Sequence, residues 1–242
     1  FSGMAPVLKS EGTQNNRIGV PLTLLRLEAT HRFLVLELGM SEPGEIRILS
    51  KMASPTVGVI TNVGPAHLAF LKDLKTVFVC KMELAEGLQR GGVLVLNRDD
   101  PYLRTVISNE HRVVFFGKGD PTERALRESL TLLGEHQVQN ALAAVAVGVQ
   151  FGKISTSLIE TFKHFKGLPG RLQLKRIGGV QFIDDTYNAN PESTHRALET
   201  LAAFPVSGKR IAVLGDMLEL GQFSPDYHAE IGRKAASLLI DF

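Results

Sequence analysis

Residues 56–100, TVGVITNVGPAHLAFLKDLKTVFVCKMELAEGLQRGGVLVLNRDD, carry the architecture. TVGVITNVG (56–64) is a β-branched run that enters a Gly-rich turn. DLKTVFVCKMELAEGLQ (73–89) reads as a helix stopped by Gly91 and Gly92, and GVLVLNRDD (92–100) as a second strand ending in acids. Outward from this unit, FLVLELG (33–39) reads as a buried strand and EPGEIRILSKMA (42–53) as a helix beginning after Pro43. Pro101 opens a short helix, and RVVFFG (112–117) is another strand. The rhythm predicts an α/β fold, a parallel sheet with helices on both faces. Ligands of such sheets bind beyond the carboxyl ends of the strands. That points to Glu37, the turn at 62–67 and the run 97–100.

Further along, QVQNALAAVAVGVQF (137–151) is apolar nearly all round and reads as a buried helix. STSLIETFKHF (155–165) is a second helix, and KGLPGR (166–171) a Gly/Pro hinge. The rhythm then restarts: VQFIDD (180–185) strand, PESTHRALETLAAF (191–204) helix with Pro191 at its start, KRIAVLGD (209–216) strand, SPDYHAEIGRKAASLL (224–239) helix. A domain boundary is expected near Arg171–Lys175, dividing the chain into 1–172 and 173–242. The stretch 117–137 fits one exposed helix.

Of 242 residues, 44% are hydrophobic and 21% charged, a balance that excludes disorder, collagen and coiled coil. A net charge of +2 without charge runs gives no reason to expect a nucleic-acid partner. Cys80 is alone, so no internal disulfide or Cys-rich metal cage forms. No apolar stretch approaches the ~18–20 residues of a membrane span, and FSGMAPVLKS lacks the order of a signal peptide. A cytoplasmic protein is expected. The chain starts at Phe1 and ends on an apolar run, so both ends are expected to continue in a longer protein.

Lys81 has Val77, Phe78, Leu84 and Ala85 at helical spacing, which puts it on the face the helix buries. Either it snorkels to the rim or pairs with a distant carboxylate, or it is a neutral amine able to take up CO2 as a carbamate. Glu37 ends an apolar strand; it is equally a metal or substrate ligand and a cap for the helix near Gly44–Glu45. His67 follows the turn TNVGPAH, where a helix cap or a packed ring is the commoner role. A Glu, His and carbamate set of hard donors suits Mg²⁺ or Mn²⁺ better than Zn²⁺. QNNRIGVP (14–21) carries the paired amides Asn15 and Asn16, suited to phosphate, sugar or peptide and equally to turn punctuation. FIDDTYNANPES (182–193) is either a loop with an Asx turn and a Pro-started helix, or a polar platform for a ribose and a peptide-like substrate. No phosphate loop, nucleophile elbow, H-E-x-x-H or C-x-x-C occurs.

Taken in order, NNRIGVPLTLL (15–25), ELGMSEPGEI (37–46), ITNVGPAHL (60–68), KMELAEGL (81–88), LNRDDP (96–101), NALAA (140–144), GR (170–171), DDTYNANPES (184–193) and LGDMLELG (214–221) resemble the Mur ligases, ATP-dependent amide-bond ligases of peptidoglycan synthesis. The resemblance spans nearly the whole chain. It implies most of a central ATPase domain and the first part of a Rossmann-like C-terminal domain. It also implies an N-terminal module and a GKT loop ahead of Phe1, and an unusually short segment between Gly117 and Gly134. The member resembled joins D-Ala-D-Ala to UDP-N-acetylmuramoyl-tripeptide, with ATP and Mg²⁺, as a monomer. Glu37, His67 and a carbamylated Lys81 match the metal ligands, and Lys81, His67 and Arg171 the catalytic set. Asn140 matches an adenine contact, and Arg171 and Asp185 groups for the ATP phosphates and ribose. Asn15 and Asn16 match the loop facing the UDP-linked peptide; Tyr187, Asn188 and Asn190 would face the dipeptide or acyl phosphate. Gln137 departs from the family's Asn after His136. A sister ligase adding one amino acid, and an inert nucleotide-binding fragment, remain as alternatives.

Overall fold

The computed structural model describes residues 5–65, 71 and 73–241. The chain divides into two compact units: 1–63, 70–116 and 146–152 form the first, and 64–69, 117–145 and 153–242 the second.

Among the described residues, the first unit holds two parallel sheets. β1 (Val7–Lys9) pairs with β2 (Phe33–Val35), Val7 opposite Phe33. β3 (Val57–Ile60), β4 (Val93–Asn97) and β5 (Arg112–Phe116) form the other, in the order β3-β4-β5. Val57 faces Val93, and Val93 faces Arg112. Every residue of β4 is buried, as a central parallel strand covered on both faces must be. Val95 and Leu96 are fully enclosed, each contributing about 1.5–3 kcal/mol relative to exposure. Among the described residues, α1 (Gly19–Leu24), α2 (Glu45–Ala53) and α3 (Leu74–Met82) accompany these strands. Asp73 starts α3 by accepting the Thr76 N–H at 2.7 Å. α2 and the 3-10 turn Glu83–Gly87 meet so closely that a Cβ on Gly87 would lie 2.3 Å from the Ser50 carbonyl carbon.

Several expected elements are shorter than their apolar runs. Of the run 33–39 only Phe33–Val35 forms a strand ladder, with β1 beside it, and that strand is half exposed. The helix at 73–89 tightens into the 3-10 turn after Met82. The helix after Pro101 is a single 3-10 turn, Leu103–Thr105.

In the second unit the stretch 117–137 is not one helix. α4 (Glu123–Ser129) ends before Gly134, and α5 (Glu135–Gln150) begins there. α6 (Ser155–Phe162) follows. A strand that the sequence pattern does not predict, β6 (Gln173–Ile177), forms an antiparallel hairpin with β7 (Val180–Asp184). Gly178 and Gly179 turn it with φ of 55° and 82°, the positive pair that a two-residue turn of this hand requires. α7 (Pro191–Ala203) and α8 (Ser224–Ser237) pack around Leu198, Met217, Leu220, Ile231 and Ala235. The expected strand at 209–216 is reduced to one bridge, Ile211 to Asp241. Val213 is 94% exposed, whereas Ala212 packs on the cluster between α7 and α8 and the Arg210 N–H donates to Asp241 Oδ2 at 2.7 Å.

Candidate functional site

Beyond the carboxyl ends of β3 and β4, two side chains tie the strand-end loops together. Asn97 Nδ2 donates to the Thr61 carbonyl at 2.9 Å, and Asp100 Oδ2 accepts the Val63 N–H at 2.7 Å. Asp100 also accepts the Tyr102 and Leu103 N–H groups through Oδ1. Both side chains are buried and therefore brace the loop rather than await a ligand.

Lys81, in the last turn of α3, is partly buried, and its Nζ donates to the Asn62 carbonyl at 2.6 Å. The amine thus meets the loop whose next residues lead to His67, which lies outside the described residues. This bond sets the amine at the strand-end rim.

Glu37 stands past the end of β2, exposed, its Oε1 accepting from Asn15 Nδ2 at 2.9 Å. Its backbone N–H donates to Ser10 Oγ at 3.1 Å. The other role open to Glu37, a cap for the helix at Gly44–Glu45, is filled elsewhere. Glu83, 5% exposed, accepts the Gly44 N–H at 2.9 Å and the Arg47 N–H at 3.1 Å, with the Arg47 guanidinium 3.4 Å away. Glu83 was not singled out by sequence. Its signal was available: it follows the buried Cys80 by three residues, on the same face of the helical run. Asn16 Oδ1 accepts the Ile18 and Gly19 N–H groups where α1 starts, while Asn15 is the amide that reaches Glu37.

The second unit gathers three further residues. Asp185 Oδ1 accepts the Leu172 N–H at 3.1 Å, and the Tyr187 N–H donates to the Gly170 carbonyl at 3.1 Å. These bonds clasp 170–172 against 185–187. The Arg171 guanidinium sits 4.0 Å from the centre of the half-exposed Tyr187 ring, a cation–π contact. Arg171, Asp185 and Tyr187 are therefore brought together. His136, at the start of α5, is largely buried, with its Nδ1 lacking a partner among the described residues. Burial pushes its pKa down, and the Asp185 carboxylate only partly opposes this. Asn140 lies one turn further along α5, exposed. Asn188 Oδ1 accepts the Ala189 N–H, and Asn190 caps α7 by a reciprocal pair with Ser193. The Pro-started helix read from 182–193 is thus present, and the Asx turn lies at Asp184, whose Oδ1 accepts the Thr186 N–H at 3.2 Å.

Among the described residues no three His, Cys, Asp or Glu side chains come together as a metal site. Glu37 Oε2 makes no hydrogen bond to a described residue, so one hard oxygen donor remains for a divalent cation. Nor is any described helix long and apolar enough to cross a membrane.

Residues 1–148 match the Mur ligase middle domain, and residues 170–241 the Mur ligase glutamate ligase domain. The UDP-N-acetylmuramoyl-tripeptide–D-alanyl-D-alanine ligase of Bacillus subtilis is 35% identical over 93% of the chain and 53% of its own length. The Escherichia coli ligase of the same name is 32% identical over 97% of the chain and 57% of its own length. The chain spans about half the length of the curated relatives it matches. Among solved structures, MurF from Acinetobacter baumannii superposes with a TM-score of 0.90 at 32% identity, over 99% of this chain and 57% of that one. The MurF ligase of Thermotoga maritima in complex with ADP gives 0.86 at 31% identity, over 96% and 58%. With the middle-domain match alone covering more than half of its residues, this chain belongs to the Mur ligase family.

Proposed function

We propose that the chain forms the ATP-binding core, and part of the acceptor side, of a ligase that joins D-alanyl-D-alanine to UDP-N-acetylmuramoyl-tripeptide in peptidoglycan synthesis. In this reading it works as a cytoplasmic monomer within a longer protein. Residues 1–172 belong to the central domain and 173–242 to the C-terminal one. The observation that carries it is the clasp of 170–172 on 185–187, which groups Arg171, Asp185 and Tyr187. The names borne by the relatives support the substrates.

The tripeptide carboxylate attacks the γ-phosphorus of ATP; the bond to the leaving ADP oxygen breaks and an acyl phosphate forms. The amine of the dipeptide then attacks the acyl carbon, loses a proton and expels phosphate. Both steps gather negative charge, which the Arg171 guanidinium balances. Leaving the Tyr187 face for phosphate exchanges a contact of about 0.5–1 kcal/mol for stronger charge-assisted hydrogen bonds. Asn140 offers its amide to the adenine and Asp185 its carboxylate to the ribose. Asn15 and Asn16 border the UDP-linked peptide, while Tyr187, Asn188 and Asn190 face the acceptor or the acyl phosphate. Glu37, His67 and Lys81 would hold Mg²⁺, Lys81 as its carbamate, and the ion supplies charge stabilisation at the phosphoryl oxygens.

Phosphate release from ATP with the UDP-tripeptide and D-Ala-D-Ala tests the assignment, on this chain and on a longer protein that carries it. Release by the longer protein alone supports a ligase whose core is incomplete here. Release with meso-diaminopimelate or L-Lys in place of the dipeptide identifies a sister ligase, and release with none leaves an inert nucleotide-binding fragment.

A further inference from the structure

The stretch LGDMLELG (214–221) belongs to the family resemblance, yet none of its residues takes part in the proposed reaction. Its two apolar anchors point inward: Met217 is 3% and Leu220 2% exposed, within the cluster that α7 and α8 pack around. Asp216, Leu218 and Glu219 are exposed. Glu219 has a left-handed backbone, with φ of 62°. A residue with a side chain keeps that conformation only where its surroundings hold it.

One side chain holds this loop from outside it. His228, in α8, has Nδ1 2.8 Å from the Ser224 carbonyl oxygen and Nε2 3.1 Å from the Met217 nitrogen. A carbonyl oxygen only accepts and a peptide N–H only donates. The ring therefore carries its proton on Nδ1 and a lone pair on Nε2. The Asp216 carboxylate, 3.8 Å from Nε2, is beyond hydrogen-bond distance. Ala189, between the two asparagines assigned to the acceptor side, packs on the same cluster as Met217.

Resting on the ligase reading, we propose that His228 is a positioning residue for the acceptor step. It acts through Met217. By accepting the Met217 N–H it fixes the 214–221 loop on the cluster, and through Ala189 the cluster sets Asn188 and Asn190 for the incoming amine. Two amides separate the two ends of the ring. Glutamine places an amide oxygen where Nε2 stands and keeps the acceptor for Met217. Asparagine places its amide where Nδ1 stands and keeps only the donor to Ser224.

The test is phosphate release by the longer protein, with ATP and D-Ala-D-Ala varied in turn. His228→Ala and His228→Asn are expected to lower kcat/KM for D-Ala-D-Ala about 10-fold or more while KM for ATP stays within about two-fold. His228→Gln should recover most of the loss. A merely structural role predicts losses that fall alike on ATP and dipeptide, and that result overturns the assignment. Rescue by Asn equal to rescue by Gln does so as well, as does His228→Ala with the dipeptide kinetics of the wild type. Amide exchange at Met217 in the 242-residue chain reads the bond itself, whatever the activity. Protection should be present in the wild type and His228→Gln and lost in His228→Asn; equal exchange in all three removes the clamp. Phosphate release reports separately on the ligase reading. Dipeptide-dependent turnover indifferent to His228 sinks this role alone. Protection of Met217 without turnover by the wild type sinks the reaction, and the acceptor role with it.

Discussion

Replacing Glu83 by Gln probes the joint between α2 and the 3-10 turn that follows Lys81. The carboxylate serves two backbone N–H groups, Gly44 and Arg47, at 2.9–3.1 Å, and is 5% exposed. Glutamine keeps one acceptor oxygen, which at the Oε2 position still faces both N–H groups at 3.1 Å, but it loses the charge that strengthens those bonds and turns an NH₂ toward a donor, at about 1–3 kcal/mol. The guanidinium of Arg47 is 44% exposed, so losing its ion pair adds under about 1 kcal/mol. The sum is about 1–4 kcal/mol, which for a chain of this length is a fall in Tm of roughly 2–16 °C. Urea unfolding followed by far-UV circular dichroism should show a lower midpoint with an unchanged slope. The neighbouring Glu86→Gln is the control. That carboxylate is 43% exposed and also binds Arg47, so its loss should cost under about 1 kcal/mol. Equal costs for Glu83→Gln and Glu86→Gln would refute the reasoning, since burial would then count for nothing.

Three further outcomes are expected. Burial depresses the His136 pKa, so below about pH 6.5 the unfolded chain takes up a proton before the folded one does. Its contribution to stability is therefore present above that pH and lost as pH falls toward the folded value; His136→Phe should flatten this part of a denaturation-versus-pH curve, and an unchanged curve would contradict the burial argument. Gly87→Ala forces a methyl group to within 2.3 Å of the Ser50 backbone and should cost about 1–3 kcal/mol in chemical denaturation, whereas Gly91→Ala, with open space around it, should show only the strain of its positive φ. Lys81→Arg keeps a positive charge but cannot form a carbamate, so in an active longer protein phosphate release should fall about 100-fold or more, with binding of the UDP-tripeptide little changed; activity within a few-fold of wild type would dismiss the carbamate.

The parallel sheet was legible because its strand cores, VGVI, VLVLN and RVVFF, are apolar runs too short for helices, with a helical pattern between the first two. The β6–β7 hairpin was missed although Gly178-Gly179 between two five-residue runs is a turn signal. QLKRI reads as polar because both faces of that hairpin are largely exposed. KRIAVLGD misled in the opposite direction: its apolar residues promise a strand, but a strand also needs a neighbour, and that is a tertiary fact. At the site, a feature set by residues adjacent in sequence, the Pro191-started helix, formed as expected. Glu83 reaching 39 residues back to Gly44 did not announce itself, because only the packing of α2 on the 3-10 turn creates that partnership.

The crossed bonds from Asn97 to Thr61 and from Val63 to Asp100 have a practical corollary for anyone recombining related ligases. Segments 61–63 and 97–100 form one heritable block although a whole helix separates them in the gene. A splice junction falling between them would marry a loop to a foreign anchor, so productive crossover points should lie before residue 57 or after residue 103.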